Sequence, residues 1–228
     1  MILYVATTNP GKLRDFAWAA EGLALRGERV EIASLKGLER LAAPAEDGET
    51  FEANARLKAV YYSRHAPGEW VIADDSGLEV DALGGRPGVR SARFADDLFA
   101  AELGFAIEEV RAQSEAAQSI GDTDARNNAA LLRLMERVPA EARTARYHCM
   151  LALAREGDVV ATAEGTVEGG ILFAERGAGG FGYDPLFLLP ELGMTMAEVD
   201  PATRLTVSHR GRALRALMER LQSAWSHP

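Results

Sequence analysis

The residues best suited to chemistry lie between Trp70 and Phe94, in the stretch WVIADDSGLEVDALGGRPGVRSARF. Its apolar opening, Trp70-Val71-Ile72-Ala73, reads as a buried strand. That strand is expected to end at Asp74-Asp75-Ser76-Gly77. Two adjacent carboxylates cannot share a dry site without strong repulsion unless cations stand between or beside them. A divalent metal, or the positive edge of a metal–phosphate complex, would supply that charge. Gly84-Gly85-Arg86-Pro87-Gly88 is too rich in Gly and Pro for regular structure, and Arg86, Arg90 and Arg93 make the region basic. Carboxylates for a metal, followed by a basic loop, point to phosphoester chemistry. Taken alone, the stretch also fits a hairpin turn carrying a solvated acidic pair.

The elements around it supply further polar groups. Ile2-Leu3-Tyr4-Val5-Ala6 reads as a strand feeding Thr7-Thr8-Asn9-Pro10-Gly11-Lys12, and a helix is expected from Leu13 to about Leu25. A strand, a polar turn and a helix start together make an anion site, because backbone N–H groups and the helix dipole face the turn. Lys12 is disfavoured by that dipole and is more easily explained by a phosphate partner. The glycine spacing is not that of a Walker A loop, and an N-capped helix after a turn is the simpler alternative. After a second strand at Val30–Ala33 and the acidic turn Glu46-Asp47-Gly48-Glu49, a helix is expected from near Thr50. Asn54 and Lys58 then lie one turn apart on one face, within reach of a ligand or simply solvated.

Helices are expected over Asp96–Ser119 and Thr123–Glu136, broken at Gly121-Asp122. Ala145–Ala154 and Val159–Ala163 alternate as a hairpin across Arg155-Glu156-Gly157-Asp158, with Glu164–Ile171 continuing the sheet. His148 and Cys149 would face opposite ways on that strand, which argues against a joint metal site. In Gly179-Gly180-Phe181-Gly182-Tyr183-Asp184 the glycines allow close backbone approach, so a planar base could stack there, or the aromatics could belong to the core. Ser208 caps the last helix. His209 and Arg210 in its first turn call for an anion or acceptor, while Leu214, Leu217, Met218 and Leu221 follow the spacing of a packed face.

Composition narrows the class. A chain of 228 residues with 47% apolar and 26% charged residues is ordinary for a globular protein. Its net charge of -9 argues against long contact with a nucleic-acid backbone, although a few Lys and Arg at one cleft can still bind a nucleotide. The single cysteine, Cys149, excludes an intrachain disulfide and fits a reducing, cytoplasmic compartment. No apolar run reaches bilayer-spanning length, so no membrane partner is expected. The N-terminus lacks the basic region and cleavage site of a signal peptide. The end, Ser223-Ala224-Trp225-Ser226-His227-Pro228, looks like the start of a purification tag, leaving residues 1–222 as a single domain.

Five stretches stand in one order: TTNPGK, FEANARLKA, ADDSGLEVDALGGRPGVRSARF, GGFGYDP and SHRGRAL. Together they closely resemble the inosine/xanthosine triphosphate pyrophosphatases, from Met1 to about Leu221. The resemblance implies an α/β fold, with a long mixed central sheet bent between two lobes, helices around it and a cleft between the lobes. It implies a homodimer that hydrolyses dITP, ITP, dXTP or XTP to the monophosphate and pyrophosphate with Mg²⁺; Mn²⁺ suits the same oxygen ligands. By the same resemblance Thr7, Thr8, Asn9, Pro10, Gly11 and Lys12 would hold the triphosphate. Asp75 would be the general base and meet the metal, with Asp74 and Glu46 completing its surroundings. Ser76 would contact substrate and Lys58 would neutralise phosphate. Phe181, Gly182, Tyr183 and Asp184 would line the base pocket, and His209 and Arg210 would hold the purine.

Three features depart from the family pattern. Arg204 stands where a Lys is usual, Ala53 where a second acid is common, and the Ala95–Ser119 segment is longer than expected. Two other readings compete. One is a Maf-like pyrophosphatase for modified pyrimidine or 7-methylguanine triphosphates, against which the SHR and FGYD stretches argue. The other is a nucleotide-binding regulator without turnover, which would have no need of Asp75 beside a metal.

Overall fold

The computed structural model describes residues 1–103 and 120–225. The chain is α/β. Its main sheet has seven strands in the order β4-β1-β5-β6-β7-β8-β9. These are β1 Ile2–Val5, β4 Glu31–Ser34, β5 Val71–Val80, β6 Thr144–Arg155, β7 Asp158–Ile171, β8 Phe187–Leu189 and β9 Met194–Thr195. A separate two-stranded sheet pairs β2 Ala24–Leu25 with β3 Glu28–Arg29. The main sheet is mixed: β1 runs parallel to β4 and β5, whereas β8 is antiparallel to β7 and β9.

Two compact units divide the chain. The first comprises Met1–Ser76, His148–Val167 and Asp200–Pro228. Its helices are α1 Pro10–Ala19, α2 Phe51–Arg64, α5 Pro201–Val207 and α6 His209–Trp225. Leu3 and Val5 from β1, Phe16 from α1, Leu151 and Leu153 from β6, and Leu214, Leu217 and Leu221 from α6 form one apolar cluster. This is the packed face that the leucine spacing of α6 predicts. Gly165 on β7 lets α6 come close, because a Cβ there would collide with the Ala213 backbone nitrogen and the His209 carbonyl oxygen.

The second unit comprises Gly77–Tyr147 and Glu168–Val199. Its described helices are α3 Phe94–Leu103 and α4 Ile120–Leu134. Leu78, Val80, Leu131, Met135, Leu186 and Phe187 are buried in it. Arg143 is buried as well. Its guanidinium donates to the carbonyls of Ile171, Met135 and Leu172 at 2.7, 2.6 and 2.8 Å.

Several boundaries differ from the sequence reading. The first helix ends at Ala19, because Gly22 and the tight β2–β3 turn, with Arg26 and Gly27 at positive φ, redirect the chain. Strand β5 does not stop at Asp74 but continues to Val80. Gly121 and Asp122 lie inside α4. Helix α5 was not anticipated, although Asp200 caps it and Pro201 opens it. The longer segment expected over Ala95–Ser119 is described only through α3, its remainder lying outside the described residues, as do 226–228 of the terminal segment. Among the described residues no helix is long and apolar enough to cross a membrane.

Candidate active site

Because the acidic pair lies inside a strand, alternation sends its two side chains to different partners. Asp74 Oδ2 accepts from Lys12 Nζ at 2.7 Å and from Ser76 Oγ at 3.0 Å. Asp75 Oδ1 accepts from Lys58 Nζ at 3.0 Å, and its Oδ2 from Asn54 Nδ2 at 3.1 Å. Both carboxylates are buried. The cations that their adjacency requires are thus lysines of α1 and α2.

Each lysine is positioned by its own helix cap. Asn9 caps α1 by accepting from Gly11 N at 2.8 Å and Lys12 N at 3.1 Å. Pro10 has no N–H, and Leu13 N bonds the Asn9 carbonyl. The first-turn amides expected to cradle an anion are therefore already satisfied, and Lys12, expected to face phosphate, faces Asp74. Thr8 is exposed, Thr7 partly so, and Gly11 is buried. On α2, Thr50 Oγ1 accepts from Ala53 N at 3.1 Å and caps the helix expected to start near it. Asn54 and Lys58 then follow one turn apart and both reach Asp75.

Asn54 also ties in the acidic turn, accepting from Gly48 N at 2.9 Å. A Cβ at Gly48 would stand 2.5 Å from Asn54 Oδ1, so only glycine allows this approach. The turn so held brings Glu46 Oε2 to 3.2 Å from Lys58 Nζ. Asp75 and Glu46 thus share one ammonium, while Asp74 is turned to Lys12. Among the described residues no three His, Cys, Asp or Glu side chains converge on one metal point.

A third group gathers at the start of α6. Ser208 Oγ accepts from Gly211 N at 3.0 Å, as an N-cap should. Arg210 donates from Nη1 to Asp15 Oδ2 at 3.0 Å and from Nη2 to Ser76 Oγ at 3.1 Å. Arg204 on α5 has Nη1 3.9 Å from Asp15 Oδ1. The acceptor that the basic first turn of α6 calls for is therefore Asp15, a buried carboxylate that the sequence reading missed. Its signal was an acid beside Phe16 on the face of α1 that packs on α6.

These surroundings treat the two central carboxylates differently. Burial would raise Asp74, but the charges of Lys12, Lys58 and Arg210 outweigh it and hold the carboxyl well below the usual range. Burial raises Asp75, and Glu46 adds to the rise, against the opposing pull of Lys58 and Asn54. Burial would lower Lys58, but Asp75, Asp74 and Glu46 together push it up, so it is a firm cation. For His209, burial first and the Arg210 charge second hold the ring well below the usual histidine range, so it is neutral at pH 7.

In the second unit the Gly-rich loop is fixed from within. Tyr183 is buried and donates to the Ser91 carbonyl at 2.8 Å. Asp184 is buried too, accepting from Tyr147 Oη at 3.0 Å and from Phe181 N at 3.1 Å. The polar groups of Tyr183 and Asp184 therefore serve the loop, while Phe181 and Gly182 are partly exposed. Of the basic residues that follow β5, Arg90 is paired with Asp97 at 2.6 Å. His148 and Cys149 behave as alternation predicts: the thiol is buried in the core, and the imidazole lies 3.4 Å from Glu164 and against the Phe51 ring.

The likeness to known proteins spans the chain. A dITP/XTP pyrophosphatase of Acidobacterium capsulatum is 52% identical over 221 residues, 97% of this chain and 98% of that one. One of Geobacillus kaustophilus is 47% identical, covering 95% of this chain and 92% of its own. A HAM1 protein from Coxiella burnetii has the same fold, with a TM-score of 0.72 at 29% identity over 100% of both chains. The structure of a nucleoside-triphosphatase / dITP/XTP pyrophosphatase from Mycobacterium abscessus matches at a TM-score of 0.63 and 36% identity, over 95% of this chain and 98% of that one. Residues 3–220 match the Ham1 family, and with relatives of this identity along its length the chain belongs to that family.

Proposed function

We propose that the protein hydrolyses dITP, ITP, dXTP and XTP to the nucleoside monophosphate and pyrophosphate. One observation carries the chemistry: two neighbouring carboxylates are turned to different cations, Asp74 to Lys12 and Asp75 to the Lys58 ammonium it shares with Glu46. Such a division of partners divides the labour: the cations beside Asp74 keep it charged, while burial raises Asp75 and suits it to take a proton. Asp75 is the general base. It takes a proton from the water that attacks the α-phosphorus, the bond to the bridging oxygen breaks, and pyrophosphate leaves. The substrate class is supported by curated relatives named dITP/XTP pyrophosphatase.

The charges of the first unit support a triphosphate at Thr7, Thr8, Asn9, Pro10, Gly11 and Lys12. Lys12, Lys58, Arg204 and Arg210 are balanced by Asp15, Glu46, Asp74 and Asp75. A triphosphate entering this balanced cluster draws Lys12 and Lys58 to its phosphates. Released from Lys58, the oxygens of Asp75 and Glu46 form a hard donor set already drawn towards one cation, which fits Mg²⁺ or Mn²⁺. Asp75 and Glu46, with Asp74 beside them, would hold that ion, which supplies charge neutralisation on the leaving pyrophosphate. Ser76, fixed between Asp74 and Arg210, contacts substrate.

Phe181, Gly182, Tyr183 and Asp184 serve the base, Tyr183 and Asp184 by shaping the loop. His209, neutral, carries one ring N–H, a donor that matches the 6-oxo acceptor of hypoxanthine or xanthine, and Arg210 and Arg204 hold fixed positive charge beside it. Adenine presents a donor at that position and leaves such groups unpaired, a mismatch worth about 10⁴-fold in specificity. A cytoplasmic homodimer belongs to the same reading. Phosphorus NMR of an ITP digest tests the bond that is cut. IMP and pyrophosphate are expected, whereas IDP and orthophosphate would overturn the assignment.

A further inference from the structure

We propose that Asp124 is a positioning residue for the Phe181–Asp184 loop, fixing the backbone that meets the base and thereby setting how tightly the base is held. The inference rests on the reading of that loop as the purine-binding segment. Asp124 lies near the start of α4 and is only partly buried. Its Oδ2 accepts from Gly182 N at 2.7 Å, a short bond to a carboxylate. Gly182 has φ +63, a left-handed conformation that gains most from such an outside tether. The preceding amide, Phe181 N, goes to Asp184. Two successive amides are therefore claimed by two carboxylates, one within the loop and one outside it.

The same face of α4 continues the clamp. Asn127, one turn on, donates from Nδ2 to the carbonyls of Ser91 at 3.3 Å and Ala92 at 3.2 Å, and accepts from Ala95 N at 2.9 Å. Tyr183 closes the ring by donating to that same Ser91 carbonyl. One helix face thus holds two segments that are also tied to each other, and the Asp124–Gly182 bond is the link that lands on the glycine between the two aromatics. Loss of it leaves Tyr183 anchored but frees the peptide that aims Phe181.

Asp124→Ala and Asp124→Asn test this, by steady-state kinetics on ITP and by hydrogen exchange at the Gly182 amide. Asp124→Ala is expected to raise KM about tenfold, as loss of a hydrogen bond to a charged group implies, with kcat within about twofold and faster exchange at Gly182. Asp124→Asn, which keeps an acceptor, is expected to restore both. An unchanged KM in Asp124→Ala, or a KM in Asp124→Asn as high as in Asp124→Ala, would overturn the inference. If the wild-type protein cleaves no ITP, the purine reading fails on its own. The tether then stands or falls on whether exchange at Gly182 rises in Asp124→Ala and returns in Asp124→Asn.

Discussion

Lys58 Nζ lies 3.0 Å from Asp75 Oδ1, and the same ammonium is 3.2 Å from Glu46. Lys58→Met removes the cation between two carboxylates in a buried setting. In the absence of divalent ions this should cost about 3 kcal/mol of stability, the usual order for orphaning a buried charge, read from urea unfolding midpoints. Adding Asp75→Asn should return part of that loss. Strictly additive losses would show that the two side chains are not coupled.

Arg210 bridges Asp15 and Ser76 with two different nitrogens of one guanidinium. A lysine keeps the charge but cannot serve both directions at once. Arg210→Lys should therefore lower the melting temperature by about 5 °C and raise KM for ITP. A melting temperature equal to that of the wild type would mean the bridge contributes nothing to the fold.

The close approach of β7 to α6 at Gly165 gives a steric test. Gly165→Ala places a methyl group against the Ala213 and His209 backbone. Overpacking of this kind costs about 2 kcal/mol, and here the element that must shift carries His209 and Arg210. Calorimetry and ITP turnover should both fall; a variant unaffected in both would place α6 farther from the sheet than described.

Asp124 supplies a pH dependence. Burial, with the nearby Asp184 charge, raises its carboxyl above the ordinary 3.8, against the opposing Gly182 N–H. A carboxyl raised on folding favours the folded state below its unfolded value, and that advantage is lost as pH rises through the folded value. Asp124→Asn has no such loss. Its stability relative to the wild type, from urea midpoints, should grow from pH 4 upward and then level off. A constant difference from pH 4 to pH 7 would contradict the raised value.

Local signals in the sequence account for much of this architecture and tertiary ones for the rest. Helix α1 begins at Pro10, ahead of the Leu13 expected, whereas Thr50 and Ser208 are caps whose chemistry acts within a single turn, so the starts of α2 and α6 were legible. So was the placing of Asn54 and Lys58 on one helix face. The course of β5 was not, because an acidic pair resembles a turn until lysines on two helices are known to neutralise it. Asp15 lay hidden for the same reason, since its partners Arg204 and Arg210 come from the far end of the chain. Gly121 and Asp122 suggested a break, yet both belong to the first described turn of α4. Asp200-Pro201 announced α5 by cap and first-turn chemistry, a local signal overlooked rather than absent.

The most direct test of the account is pyrophosphate release from ITP, XTP, ATP, GTP and dTTP with Mg²⁺, run beside Asp75→Asn. Fast turnover of ITP and XTP is expected, with little from the others, and a loss of about 10²- to 10⁴-fold in the variant, the range a general base supplies. Turnover undiminished in Asp75→Asn, or a preference for dTTP, would contradict it.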